Sequence, residues 1–424
     1  MIHYKNQIQY LSKEFWNGIR AFGSNTERIG LFSAKIFSAL IGLGVNFYLA
    51  NTLGVLEFGK YAFTIAVLTF LSLFFDFGFF ASAASLIAAT EEEKEKRAHF
   101  GALFIITMIL SGLFIMAVFV MSFLVDFIFP DKIGSILSSL ALLAPGVIAP
   151  LFIDQVLKAA GRIRLLSFWY VVMRIGFITA ILYYTYTGQL SALSAGFSYT
   201  ISNIASFLFV IFSIKPEFSN VGSSLRQLVD KQRHFGRPLF TGKLFNLISY
   251  NSDKPLLAYF HGATSVGYYS LAMSCAGLST MLAQSIAAAQ FRKFAGLQPI
   301  SHRLLKWNLI GVLLNSVGSI VGIWVLVKWY LGASYAEVGI IIVPATLALA
   351  FQSAYQPYNS WLLANSFGDI LRRFLMRNAG INFATNIILI PLIGAFGAAC
   401  ASIIGMASYF GQARYNYRRE SSVS

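Results

Sequence analysis

The chain has 424 residues, of which 57% are hydrophobic and only 12% are charged. A soluble globular domain carries about 25% charged residues, so this composition, with a mean hydropathy of +0.67, excludes that class and predicts a membrane protein. The formal net charge of +15 comes mainly from basic residues between the apolar stretches. This distribution indicates membrane topology, and no nucleic-acid partner is expected.

Apolar stretches of about 20 residues, the length that crosses the hydrocarbon core of a bilayer, recur twelve times along the chain. They predict an all-α polytopic protein with twelve transmembrane helices. The predicted spans are 29–50, 61–84, 100–129, 133–158, 165–186, 190–214, 239–260, 266–290, 304–331, 336–364, 373–393 and 395–413.

The basic residues between these spans are distributed unevenly. When the N-terminus is placed in the cytoplasm, the cytoplasmic segments contain 25 Lys and Arg residues, and the outer segments contain only Lys60, Lys132 and Lys328. The positive-inside rule therefore predicts that both termini are cytoplasmic.

The second half of the chain repeats features of the first. Gly54 and Gly59 recur as Gly262 and Gly267, at an offset of 208 residues. Six spans in each half predict two parallel six-helix bundles around a central cavity, related by an axis along the membrane normal. The predicted domains are an N-terminal interfacial helix (1–28), an N-terminal bundle (29–214), a cytoplasmic linker with an amphipathic helix (215–238), a C-terminal bundle (239–413) and a cytoplasmic tail (414–424).

Two lysines occupy equivalent positions inside apolar spans, where a charge is costly. Each begins a stripe of small or polar residues on one helical face. The first stripe is Lys35, Ser38, Gly42 and Asn46, and the second is Lys243, Asn246, Tyr250 and Lys254. We expect both stripes to face a hydrated cavity and to bind an anionic cargo. The alternative is that Lys35 and Lys243 extend to lipid headgroups. No dedicated acidic partner for either lysine is evident.

Other ionisable residues lie inside predicted spans. Arg174 is near the middle of the fifth span, which favours a buried pair or a cavity position. Asp154 and Lys158 are one helical turn apart and are expected mainly to pair with each other. Asp76 and Asp253 are either structural partners of basic residues or carriers of a coupling proton.

Prolines mark two further positions of interest. Pro150 and Pro357 interrupt the fourth and tenth predicted spans. Because proline frees a backbone carbonyl and bends a helix, we expect these spans to act in gating.

Signals of an enzyme are absent from the sequence. There is no metal-ligand cluster, no GxSxG motif and no phosphate-binding glycine loop. We therefore expect no catalytic residue, no bound metal and no cofactor, and the coupling ion, a proton or sodium, is left open.

Three segments resemble a known family. Leu53-Gly54-Val55-Leu56-Glu57-Phe58-Gly59-Lys60-Tyr61, Asp76-Phe77-Gly78 and Gly394-Ala395-Phe396-Gly397-Ala398-Ala399 are similar to the polysaccharide transporter branch of the MOP superfamily, especially Wzx-type O-antigen flippases. The resemblance covers nearly the whole chain in length and span number.

The resemblance implies a flippase of the bacterial inner membrane, which moves an undecaprenyl-pyrophosphate-linked oligosaccharide to the periplasmic leaflet by alternating access. Its implied partners are this lipid-linked oligosaccharide, the phospholipid bilayer, and the polysaccharide polymerase and chain-length proteins. One alternative is a MATE-like multidrug or ion antiporter, which the basic character of the candidate cavity disfavours. A non-transporting scaffold of a polysaccharide assembly complex is the other, and it would not need the paired lysines.

Overall fold

The computed structural model describes residues 25–422, except 220, 242–243, 245–250, 279, 282, 285–286, 288–293, 295–296, 298 and 366, with side chains from residue 30 onward. All regular structure within these residues is helical. The predicted all-α fold is therefore confirmed.

The helices are numbered in chain order. They are α1 (Asn25–Ser72), α2 (Phe79–Ala89), α3 (Glu93–Ile128), α4 (Gly134–Leu140), α5 (Ala149–Ala159), α6 (Ile163–Tyr186), α7 (Ala192–Ile214), α8 (Val221–Lys231), α9 (Asp253–Ala276), α10 (His302–Leu326), α11 (Ala336–Ala364) and α12 (Gly368–Ser422). Short 3₁₀ segments lie at Leu73–Phe75, Ala141–Val147 and Ala333–Tyr335, and π-helical turns lie at Gln232–Gly236 and Val327–Leu331.

Among the described residues, eight helical segments are long and apolar enough to cross a membrane. Two of them each contain all or most of two predicted spans, because the helices are joined end to end across a kink. These are Gly30–Phe75 and Gly368–Ser421. The predicted interfacial helix over 1–28 lies almost wholly outside the described residues, as do parts of the predicted spans 239–260 and 266–290.

The two kinked helices at equivalent places of the repeat have the same backbone geometry. Gly54 in α1 has φ 74° and ψ 173°, and Gly262 in α9 has φ 77° and ψ 175°. Only glycine adopts this conformation without steric cost. Five residues further on, Gly59 and Gly267 are in contact, because a Cβ atom on Gly267 would lie 3.0 Å from Cα of Gly59. The repeat seen in the sequence thus corresponds to a repeated backbone kink.

The structure corrects two expectations about the spans. The second predicted span, 61–84, is broken at Asp76–Phe77–Gly78, because Phe77 and Gly78 have φ values of 44° and 79°. The tenth span is not interrupted, since α11 runs through Pro357 without a break. Pro150 lies in the first turn of α5, where its missing N–H leaves no hydrogen bond unmade. Gating by either proline stays a prediction.

Contacts divide the chain into two compact units. The first includes α1 as far as Gly42, together with Val67–Phe127 and Lys132–Leu244, and the second comprises Leu43–Ala66, Ile128–Asp131 and Phe245–Ser424. Trp169 and Phe152 are buried in the first unit, and Trp361 and Tyr335 are buried in the second. The bundle limits of 29–214 and 239–413 divide the sequence differently and stay predictions.

Candidate functional site

The first unit contains a polar cluster made by three helices, which we call the N-terminal polar cluster: Lys35 of α1, Asp154 and Lys158 of α5, and Tyr170 of α6. Lys158 Nζ donates a hydrogen bond to Asp154 Oδ2, and the Tyr170 hydroxyl donates to Asp154 Oδ1 at 2.9 Å. Lys35 Nζ lies 3.9 Å from the same Oδ1 and 5.3 Å from the centre of the Tyr170 ring. One carboxylate therefore lies beside two ammonium groups.

The sequence showed no dedicated acidic partner for Lys35, and the structure corrects this point. Asp154 is close enough for an ion pair with Lys35, although 3.9 Å is too long for a hydrogen bond. The side chains of Lys35, Asp154 and Lys158 are 31%, 29% and 30% exposed. The cluster is thus partly accessible and contains more positive than negative charge.

Arg174 continues the polar face of α6 one turn after Tyr170. Its Nε donates a hydrogen bond to Ser38 Oγ at 3.1 Å. A Cβ atom on Gly42 would lie 3.0 Å from the guanidinium carbon of Arg174, so the small residues of the α1 stripe make room for this side chain. Asn46, one turn further along α1, is half-buried and belongs to the second unit.

The second unit contains a different polar cluster, which we call the C-terminal polar cluster: Asp253, Tyr269 and Ser402. The Tyr269 hydroxyl donates to Asp253 Oδ2 at 2.6 Å and lies 3.5 Å from Ser402 Oγ. The other carboxylate oxygen of Asp253 accepts from the backbone N–H of Lys254 at 2.8 Å. Lys254 is half-buried at the start of α9. The remaining members of the predicted second stripe, Lys243, Asn246 and Tyr250, lie outside the described residues.

Asp76 has a local structural contact. Its Oδ1 accepts a hydrogen bond from the backbone N–H of Phe80 at 3.2 Å, in the first turn of α2. A side-chain acceptor at this place satisfies a helix-terminal N–H that has no partner within the helix. Gln232 Nε2 donates to the carbonyl of Phe77 at 2.9 Å and so satisfies an acceptor of the broken turn.

The sequence interpretation missed a row of buried amides. Asn378, Asn382 and Asn386 on α12 are 0%, 3% and 1% exposed, and Asn386 Nδ2 donates to Asn382 Oδ1 at 3.1 Å. A Cβ atom on Gly405 would lie 3.2 Å from Asn382 Nδ2. The spacing of four residues inside an apolar span was the signal that identifies such a face.

Solved structures of known transporters share this fold. The chain matches a lipid II flippase, MurJ, in an inward closed conformation, with a TM-score of 0.72 and 17% identity, over 92% of this chain and 87% of that one. It also matches an inward-facing multidrug resistance MATE family transporter of the MOP superfamily, with a TM-score of 0.64 and 13% identity, over 95% and 96% of the two chains. At these identities the likeness shows the fold alone.

A third structural relative is a MOP superfamily transporter from Pyrococcus furiosus, described as having a binding pocket of reverse polarity. Its TM-score is 0.58 at 11% identity, and the match covers 94% of this chain and 97% of that one. No curated protein matches the chain in sequence.

The family profile described as polysaccharide biosynthesis protein matches residues 28–294, which is more than half of the chain. This match confirms the resemblance to the polysaccharide transporter branch. The chain therefore belongs to the polysaccharide biosynthesis protein family, and it is a multi-pass membrane protein whose fold is similar to that of MOP superfamily transporters.

Proposed function

We propose that this transporter is a flippase for an undecaprenyl-pyrophosphate-linked oligosaccharide, the repeat unit of an O-antigen or related surface polysaccharide. It moves the headgroup from the cytoplasmic to the periplasmic leaflet of a bacterial inner membrane by alternating access, with both of its own termini in the cytoplasm. The observation that carries the proposal is the N-terminal polar cluster, in which two lysines share Asp154.

The charge of this cluster fits the chemistry of the cargo. A pyrophosphate loses its hydration when it enters a membrane, at a cost that must be offset by charge-assisted hydrogen bonds. Lys35 is the favoured contact, because Lys158 and Tyr170 already satisfy both carboxylate oxygens of Asp154. Arg174, one turn from Tyr170, adds a second cation that faces α1. Lys243 is the equivalent contact proposed from the second half of the sequence.

The experiment is complementation of a flippase-deficient strain that displays a defined surface polysaccharide. The Lys35→Ala, Lys243→Ala double variant is expected to lose export, because it removes the charge-assisted contacts to the pyrophosphate. The corresponding double Lys→Arg variant is expected to keep part of the export, because a pyrophosphate mainly requires positive charge.

The matched control is the Lys60→Ala, Lys328→Ala double variant, which removes two lysines from the predicted outer segments. It should export normally, with protein amounts checked by immunoblot. Normal export by the Lys35→Ala, Lys243→Ala variant at normal protein amount would show that the lysines only contact lipid headgroups.

A further inference from the structure

A cavity of about 350 Å³ opens at one end of the second unit. It lies between the start of α10, the later part of α11 and the last turns of α12. Part of its wall is apolar and is made by Leu305, Leu309 and Phe410. Under the predicted topology this end faces the cytoplasm, where the headgroups of the inner leaflet lie.

Two arginines stand at the edge of this cavity. Arg414 and Arg418 line it from α12 and are both exposed. Within the described part of the chain, neither guanidinium group lies within ion-pairing distance of a carboxylate. Because residues four apart share one helical face, the two like charges repel each other. A bound anion would remove this repulsion.

The cavity also contains a buried acceptor that is not satisfied. Asn308 is 2% exposed and lines the cavity from α10. Its Nδ2 donates to the backbone carbonyl of Ser353 at 3.3 Å, but its Oδ1 accepts no hydrogen bond from any residue that the structure describes. A buried polar atom without a partner is costly, and a hydroxyl group of a ligand would satisfy it.

Aromatic packing holds one wall in place. The ring of Tyr417 lies 5.2 Å from the ring of Tyr358 and 4.9 Å from that of Trp361. The Tyr417 hydroxyl accepts a hydrogen bond from the backbone N–H of Ile300 at 2.9 Å, which leaves its own proton free to donate. The cavity is thus a formed site with an apolar wall, a cationic edge and both kinds of hydrogen-bonding group.

We infer that this cavity binds the headgroup of an anionic phospholipid of the cytoplasmic leaflet, with the phosphodiester at Arg414 and Arg418 and a headgroup hydroxyl at Asn308. The apolar wall takes the beginning of an acyl chain. Basic pockets between transmembrane helices on the cytoplasmic side are suited to such lipids. The inference does not depend on the identity of the transported molecule.

The test is native mass spectrometry of the full-length protein, released from mixed phosphatidylglycerol and phosphatidylcholine vesicles. We expect phosphatidylglycerol to be retained by the wild type, and retention to fall roughly tenfold in the Arg414→Gln, Arg418→Gln variant, since loss of about 1.4 kcal/mol changes affinity tenfold. The Asn308→Ala variant should lose the preference for phosphatidylglycerol over phosphatidic acid, which has no headgroup hydroxyl.

The matched control is the Arg372→Gln, Arg373→Gln variant, which removes two exposed arginines from the other end of the same helix α12. It should retain phosphatidylglycerol as the wild type does. An equal loss in this control would show attraction by net charge and overturn the proposal. Displacement of the lipid by millimolar inorganic phosphate, or by a short-chain prenyl diphosphate, would equally overturn it, since the site would then serve another phosphate.

Folding is checked separately by size-exclusion chromatography. If the double glutamine variant does not fold, the Arg414→Lys, Arg418→Lys variant replaces it, because it keeps both charges. This variant should retain phosphatidylglycerol more weakly than the wild type, because a lysine contacts a phosphate through a single ammonium group. Retention equal to that of the wild type would argue against direct contact by the guanidinium groups.

Discussion

The two polar clusters share one arrangement and differ in charge. In the N-terminal polar cluster Asp154 accepts a hydrogen bond from Tyr170, and in the C-terminal polar cluster Asp253 accepts one from Tyr269, in each case from a tyrosine 16 residues later. Asp154 also binds one lysine and lies near a second. The other described hydrogen-bond donor to Asp253 is a backbone N–H.

The difference in charge between the clusters suggests a structural role for the tyrosines and a functional role for the lysines. A tyrosine that donates to a carboxylate stabilises the packing of two helices in either unit, so it does not distinguish the clusters. The balance of charge distinguishes the clusters, because two lysines surround Asp154, whereas the described cation beside Asp253 is the single Lys254. We therefore expect changes to the lysines to affect transport and changes to the tyrosines to affect stability.

The largest effect is expected from reversing the charge of Lys35. Lys35→Glu would place a second carboxylate beside Asp154 and remove a contact to the cargo, so export should fall by roughly 10- to 150-fold, since each charge-assisted hydrogen bond contributes about 1.5–3 kcal/mol. Export is measured in the complemented strain with protein amount as reference.

The charge-swapped Lys35→Glu, Asp154→Lys variant sharpens this result. It restores one pair of opposite charges, and the cluster again contains two cations, so part of the export should return. Lys60→Glu is the matched control, because Lys60 lies in the same helix but pairs with Glu57 at 2.9 Å. Full activity of Lys35→Glu would remove Lys35 from the proposed site.

An intermediate effect is expected from removing the tyrosine hydroxyls. Tyr269 is fully buried and donates to Asp253 at 2.6 Å, so Tyr269→Phe should lower stability by about 1.5–3 kcal/mol, the range for hydrogen bonds to charged groups. Tyr170 is half-buried, and water or Lys35 can replace its hydroxyl. Tyr170→Phe should therefore cost roughly 1 kcal/mol or less.

Thermal unfolding of the two purified variants in the same detergent measures the difference. Tyr269→Phe should unfold at a lower temperature than Tyr170→Phe. The opposite order would mean that Asp154, and not Asp253, depends more on its tyrosine.

The smallest effect is expected at Asp76, a carboxylate at a helix start. Its Oδ1 accepts from the N–H of Phe80, and the amide oxygen of asparagine can accept the same hydrogen bond. Asp76→Asn should thus change stability by only a few tenths of a kcal/mol and leave export near the wild-type level. Loss of export with unchanged stability would instead support the coupling role predicted from the sequence.

The class, the limits of several helices and the contacts within one helix were predictable from the sequence. Composition and span length identified a polytopic helical membrane protein, and the spacing of Asp154 and Lys158 predicted their ion pair, because residues four apart share a helical face. The repeat of Gly54 as Gly262 predicted equivalent positions, and both have the same positive φ. These properties follow from the helical period and from local backbone sterics.

The helices that meet at the candidate site were not predictable from the sequence. Lys35 and Asp154 are far apart in the sequence, so their proximity depends on how α1 packs against α5. The hydrogen bond from Gln232 to Phe77 joins residues 155 positions apart, and it stabilises the break at Asp76–Phe77–Gly78 because it satisfies the carbonyl of Phe77. The cavity lined by Arg414 and Arg418 is likewise formed by three helices whose residues carry no common motif. Periodicity describes one helix face at a time, whereas partners across helices are selected by the packing of side chains from distant segments.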